Sequence, residues 1–225
     1  LADGHWRPAA SSTRSNLNDV AAAGGAAWAV GEQGTVLTWG DGWQPDPFPD
    51  ALASLSAVAI QPDGTPAALN LTGELYERRD GVWTQVPHAP AVNSAQDLAF
   101  GPDGRALISG RSLWERRDGT WREASVAAAR FDGVAYSNGV GYAVGDGRVF
   151  ANADGTWRQV ELGDLDAANG IGGGAHAVAF APWGGISELW GESADLIWPR
   201  LSYVRTLAGH EDGTPDLTGG IAGTH

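Results

Sequence analysis

Leu75-Tyr76-Glu77-Arg78-Arg79-Asp80-Gly81-Val82-Trp83 and Leu113-Trp114-Glu115-Arg116-Arg117-Asp118-Gly119-Thr120-Trp121 are nearly the same phrase written twice. Each joins a run that begins apolar and ends charged, an Asp-Gly pair, and a second run carrying Trp. Asp-Gly between two such runs predicts a β-hairpin, because the primed two-residue turns need φ > 0 and Gly adopts it without steric cost. The phrase returns at Asp3-Gly4-His5-Trp6, Asp41-Gly42-Trp43 and Asp154-Gly155-Thr156-Trp157. The tryptophans Trp6, Trp43, Trp83, Trp121 and Trp157 are 37, 40, 38 and 36 residues apart. A hairpin recurring at that period, with four short strands to each period, predicts propeller blades.

Around these hairpins the chain divides into blade repeats at 17–49, 55–88, 95–126, 131–162 and 167–205, within one domain spanning 1–225. Each opens on a short apolar run bounded by Gly, Asp or Asn, as strands do. The first carries Leu17–Ala22, Ala26–Gly31 and Thr35–Trp39, and the second and third share a Pro-Asp-Gly turn at Pro62–Gly64 and Pro102–Gly104. In the fifth, Gly191-Glu192-Ser193-Ala194-Asp195 replaces the Asp-Gly hairpin. The tail, Leu217 to His225, repeats the pattern of Ala168 to His176 and reads as an inner strand. Residues 1–9 read as an outer strand. The expectation is an all-β propeller of four-stranded antiparallel blades: five full blades plus a split sixth made from 1–9 and 216–225. Its middle strands are missing, and an open edge of that kind invites pairing with another polypeptide. A five-bladed ring with extra terminal strands is the alternative.

Composition narrows the classes. The formal net charge is −13 and the pI is near 4.6, a surface that repels phosphate backbones and argues against nucleic-acid binding. No apolar run approaches the length of a membrane span. There is no Cys, so disulfides and thiolate chemistry are excluded. Every basic residue is Arg and there is no Met, which fits a GC-rich bacterial genome; selection against oxidisable side chains is the alternative. The chain opens on Leu1, and signal-peptide removal with export to the periplasm or exterior is the expectation, a trimmed sequence being the other source of such a start.

The stretch from Leu17-Asn18-Asp19-Val20 through Trp28-Ala29-Val30-Gly31 to Val36-Leu37-Thr38-Trp39 resembles repeats of bacterial secreted propellers. So does Tyr142-Ala143-Val144-Gly145-Asp146-Gly147-Arg148-Val149-Phe150. The related groups are the photosystem II assembly-factor-like and the BNR/Asp-box propellers, although here Gly follows Asp directly and the usual spacer is absent. The resemblance covers residues 1 to about 160 and implies a propeller. Such families include assembly factors, lectins, glycosidases and adhesion modules, so function is analogy at this level.

Aligning the repeats on Val20, Val58, Leu98, Val134 and Ile171 puts Asn18, Ser56, Gln96, Asp132 and Asn169 two positions earlier, with Asp19 and Asp97 one position later than that ring. Polar side chains converging at one mouth of a channel make a ligand site. Equally, such residues satisfy backbone groups at strand starts. His176 and His225 hold matching places in the fifth repeat and the tail, with Glu188, Glu192 and Asp195 nearby. Histidine with carboxylates can bind a transition metal or move a proton. His210 to Asp216 is acidic enough to hold calcium but lacks the alternating pattern of a dedicated loop. Asn70-Leu71-Thr72 matches a glycosylation sequon, read as chance. The recurrent tryptophans read as filler between sheets, whereas Trp39, Trp183 and Trp190 fall outside the series and read as sugar- or partner-stacking residues. The sequence therefore points to a non-catalytic binding or assembly module with a protein partner, completed by or docked on a second chain. A channel-mouth hydrolase or lyase, or a lectin, is the alternative.

Overall fold

Short alternating runs stopped by glycines give antiparallel meanders throughout the computed structural model. It describes residues 9–90, 92–162, 168–173, 177–180, 186–190, 193–198, 207–209 and 215–217. The first sheet is β1 (Leu17–Ala23), β2 (Ala26–Gly31), β3 (Val36–Trp39) and β4 (Trp43–Pro45). The second is β5 (Leu55–Ile60), β6 (Pro66–Asn70), β7 (Leu75–Arg79) and β8 (Val82–Gln85). The third is β9 (Asp97–Phe100), β10 (Ala106–Ser109), β11 (Trp114–Arg117) and β12 (Thr120–Glu123). The fourth is β13 (Gly133–Ser137), β14 (Val140–Gly145), β15 (Arg148–Asn152) and β16 (Arg158–Val160). Each sheet pairs its strands in sequence order, and the first strands of successive sheets lie beside one another, as the inner strands of propeller blades do. The fifth repeat forms a ladder of the same order from β17 (Gly170–Gly172), β18 (Ala177–Phe180), β19 (Ile186–Trp190) and β20 (Ser193–Trp198).

The repeated Asp-Gly does what its chemistry requires. Asp80 and Gly81 have φ of 50° and 81°, and Asp118 and Gly119 have 50° and 72°, both positive as a type I′ turn demands. Asp41-Gly42 and Asp154-Gly155 differ: only the glycine is positive and the connection is longer. Trp157 therefore lies in the connection before β16. Asn138-Gly139 and Asp146-Gly147 take the positive-φ pair inside the fourth blade.

Packing runs between blades. Val30 and Val36 of the first meet Val58, Ala68, Tyr76 and Trp83 of the second. Ala57, Leu69 and Leu75 of the second meet Leu98, Ile108, Trp114 and Trp121 of the third. Leu107 and Leu113 of the third meet Val134, Ala143, Phe150 and Trp157 of the fourth, and the fourth meets Ala177, Ala179 and Leu189 of the fifth ladder. Each strand thus shows one side to the preceding blade and the other to the next, which is why apolar residues occupy both parities. Trp83, Trp121 and Trp157 all join the cluster shared with the preceding blade, so the recurrent Trp is inter-sheet filler as its spacing suggests.

The count of blades differs from the expected five plus a split sixth. Four blades have fully described strands and packing, the fifth repeat is described chiefly as a ladder, and no sixth blade occurs among the described residues. Asp216 and Leu217, the first residues of the expected terminal half-blade, instead pair with Ala208 and Leu207 in a two-stranded hairpin of Leu207–Gly209 and Pro215–Leu217. A strand so placed finds its nearest neighbour along the chain, and closing a short loop costs less entropy than reaching a distant blade. Residues 1–8 and 218–225 lie outside the described residues. No described helix is long and apolar enough to cross a membrane.

Candidate functional site

An inner strand has a free edge, and its outward N–H groups need acceptors. Asp19 and Asp97 supply them. Asp19 Oδ1 accepts from Val20 N–H at 2.8 Å, and Oδ2 accepts from Val58 N–H of the next blade at 2.7 Å. Asp97 repeats the arrangement, with Oδ1 on Leu98 N–H at 2.8 Å and Oδ2 on Val134 N–H at 2.9 Å. The equivalent residues in the other repeats are Ala57, Gly133 and Gly170, so the clasps belong to the first and third blades. Both side chains are half-buried, the inner edge leaving part of each open while protein surrounds the carboxylate. Burial, then the charge of Asp97, pushes the Asp19 carboxyl up to about 7 against the pull of its two N–H donors. Burial pushes Asp97 up to about 6.

The other polar residues of the expected ring engage locally. Asn18 Nδ2 donates to Leu55 O at 2.8 Å, across to the second blade. Ser56 Oγ donates to Leu69 O at 3.3 Å, and Gln96 Nε2 to Ser94 O at 3.1 Å. Asp132 pairs with Arg130 at 2.6 Å, and Asn169 is exposed. The structure therefore brings Asp19 and Asp97 within electrostatic reach of one another and gives Asn18, Ser56, Gln96 and Asp132 partners on their own blade or its neighbour. His176 and His225 lie outside the described residues, as does His210 to Thr214 of the expected calcium loop. Among the described residues no group of three or more His, Cys, Asp or Glu is placed to hold a metal. Glu188 and Asp195 are opposite one another in the β19–β20 ladder. Asn70 of the sequon is buried, its Oδ1 accepting from Thr72 and Glu74 N–H, so the amide is structural.

Two features were not singled out in the sequence. Asp46, 6% exposed, receives Trp83 Nε1–H at 2.9 Å and pairs with Arg78 through Nε at 2.7 Å and Nη2 at 3.1 Å. Both partners belong to the next blade, so no local motif announces the triad. A shallow recess of about 470 Å³ beside the second blade is lined by Thr72, Glu74, Gln85, Pro87, His88 and Pro90, with no aromatic wall.

Among the described residues, the first blade departs from repeat symmetry on the flank facing away from the second. Val20, Ala29, Leu37 and Pro45 form one cross-strand row of that flank, and Ala27, Trp39 and Trp43 another. Every residue named is apolar. Ala29 and Leu37 at the centre are covered, but Val20 is 55% exposed and Trp39 42%. The residues equivalent to Val20 (Val58, Leu98 and Val134) are each 4% exposed. Leu17 is 44% exposed where Leu55, Ala95, Phe131 and Ala168 are at most 2%. Trp39 stands edge-on to Trp43 with centroids 5.3 Å apart, at a ladder position held by Arg78 and Arg116 in the next two blades.

No protein-family model matches the chain, and no curated protein matches it. Solved structures do. A streptogramin B lyase structure is 11% identical, covers 91% of this chain and 76% of its own, and has a TM-score of 0.73. A catalytically inactive virginiamycin B lyase from Staphylococcus aureus with quinupristin is 11% identical over 88% of this chain and 75% of its own, with a TM-score of 0.70. YCF48 bound to D1 peptide is 16% identical over 88% and 74%, with a TM-score of 0.63. At these identities the likeness is one of fold: the chain has the β-propeller architecture.

Proposed function

We propose that the protein is a non-catalytic binding or assembly module whose partner is a protein seated on the flank of the first blade. The observation that carries this reading is the exposure of Leu17 and Val20 at positions where the second, third and fourth blades are sealed, with Trp39 exposed on the same flank. Exposed aliphatic and Trp side chains on one flank are common in protein contacts. Neighbours of the same fold include a propeller solved with a bound peptide and the WD40 repeats of RRP9, which makes such a role compatible with the architecture. The lyase neighbours represent the opposite class. Acid–base work by Asp19 and Asp97 is the less favoured reading here, because all four of their carboxylate oxygens already accept backbone N–H groups. We place the module outside the cytoplasm, supported by the resemblance to exported propellers alone; cell fractionation tests that placement.

Native mass spectrometry of the protein purified from its source, beside the Trp39→Asp variant, tests the reading. The wild type is expected to carry a stoichiometric second polypeptide that the variant loses at least tenfold. Equal retention by both removes the flank as the seat, and a wild type that carries nothing removes the binding role.

A further inference from the structure

The recess beside the second blade lies between the turn from β6 to β7 and the linker leaving β8, and each of these departs from its counterparts in the other blades. Glu74 closes the turn, its carbonyl accepting Asn70 N–H, where Thr35 closes the corresponding turn of the first blade. Ser112 and Arg148 hold the same place in the third and fourth, so Glu74 is the one carboxylate of the four. In the linker, His88 stands as far after Trp83 as Phe48 after Trp43. Phe48 turns inward, its ring 4.7 Å from Tyr76 and 5.8 Å from Trp83 of the next blade. His88 instead takes a φ of 60°, is exposed and lines the recess. A residue other than glycine held at positive φ is a local cost that the surrounding structure must sustain, and such costs gather at binding surfaces.

Glu74 is half-buried and fixed, but not neutralised. Its Oε2 accepts from Asn70 Nδ2 at 2.6 Å and its Oε1 from Gln85 Nε2 at 3.2 Å, both neutral amides. The Tyr76 hydroxyl and the Asp50 carboxylate are close by. Among the described residues neither Glu74 nor Asp50 forms an ion pair, whereas Asp46, Glu77 and Glu115 each meet an arginine. The donors of the recess are spent inward: Thr72 N–H and hydroxyl and Glu74 N–H go to Asn70 Oδ1, Gly73 N–H to Asn70 O and Val86 N–H to Leu75 O. Pro87 and Pro90 have no N–H to give. A recess rich in acceptors and poor in donors, with a fixed carboxylate and a net charge of −13 around it, favours a cation and offers an anion little to hold.

We propose that this recess binds a basic peptide segment, receiving a lysine or arginine side chain whose cation meets the Glu74 carboxylate. Leu71, beside Thr72 in the same turn and 42% exposed, offers an apolar contact to a residue flanking that cation. This seat is separate from the flank of the first blade, and neither depends on the other.

NMR shifts of the isotope-labelled full chain test it at about 0.15 M salt, where long-range attraction to the net charge is largely screened. The probes are acetyl-Leu-Arg-Leu-amide and its forms with lysine or with neutral citrulline at the centre. The two cationic peptides are expected to give saturable shifts centred on residues 72–74, Gln85 and His88, and the citrulline form to bind at least tenfold more weakly. Glu74→Gln should weaken the cationic peptides at least tenfold. So should Gln85→Arg, which keeps the carboxylate but gives it a tethered cation. Asp118→Asn removes an equal charge from the outer hairpin of the third blade, at a positive φ that Asn tolerates, and should leave binding unchanged. Equal binding of the citrulline peptide, or an equal loss in Asp118→Asn, reduces the attraction to bulk charge and overturns the inference. So does full binding by either recess variant with its fold intact by circular dichroism, or the lack of saturable shifts at the recess with millimolar cationic peptide.

Discussion

Asp46 concentrates more of the first inter-blade contact than any other described polar residue. Its carboxylate lies almost wholly buried between the Arg78 guanidinium and the Trp83 indole N–H. Removing one partner of a buried ion pair strands the other, which costs more than the pair itself contributes. Asp46→Ala is expected to destabilise the protein by on the order of 3 kcal/mol in chemical denaturation, and Asp46→Asn by less, since it keeps an acceptor for Trp83. The clasping aspartates make stability depend on pH. Their carboxyls bind protons more tightly folded than unfolded, so stability falls as pH rises from about 4 through 6 and 7. Melting temperature should drop by several degrees between pH 5 and pH 8, and Asp19→Asn should flatten that slope; a Tm that climbs over the interval contradicts the burial argument. Asp19 and Asp97 are visible in sequence as polar residues at inner strands. Their acceptor role is not, because Val58 and Val134 become neighbours only when blades stack. The same holds for Asp46, whose partners lie 32 and 37 residues away.

Each blade is a meander fastened by its linker. Gly31, Gly110 and Gly145 end the second strands where the segment entering the same blade passes closely; a Cβ on Gly145 would run into Arg130 O and the Phe131 ring. Gly145→Ala should cost about 1–3 kcal/mol with the secondary structure retained, measured by urea unfolding and circular dichroism. Gly139→Ala, at an open turn, loses only the positive φ and should cost less. These elements were legible because hairpin chemistry and two-residue alternation are local. The tail was not. Leu217, where the letters of an inner strand begin to repeat, pairs with Leu207 in a local hairpin, because a strand's identity lies in its partner. Trp157 was misplaced for a related reason: Asp154-Gly155 looks like the other hairpins yet has only its glycine at positive φ.

Across the whole molecule the blades are not joined equally. From first to second run the Asn18, Asp19, Arg78 and Trp83 bonds, and from third to fourth those of Asp97, Arg105 and Asn152. Among the described residues no side-chain hydrogen bond crosses from the second blade to the third, whose contact is the apolar cluster around Leu98 and Ile108 together with the backbone bond from Ala95 N–H to Leu71 O. Under a load applied along the chain, such an array is a set of couplets rather than of single leaves. The clasps at Asp19 and Asp97 stand 78 residues apart, so a couplet releases roughly 270 Å of extended polypeptide when it yields. Optical-tweezers traces should show rips near that length, and rips of half that length would mean each leaf tears separately. A molecule that breaks in couplets guards its innermost strands in pairs, and the weak seam between couplets is where it first opens under tension.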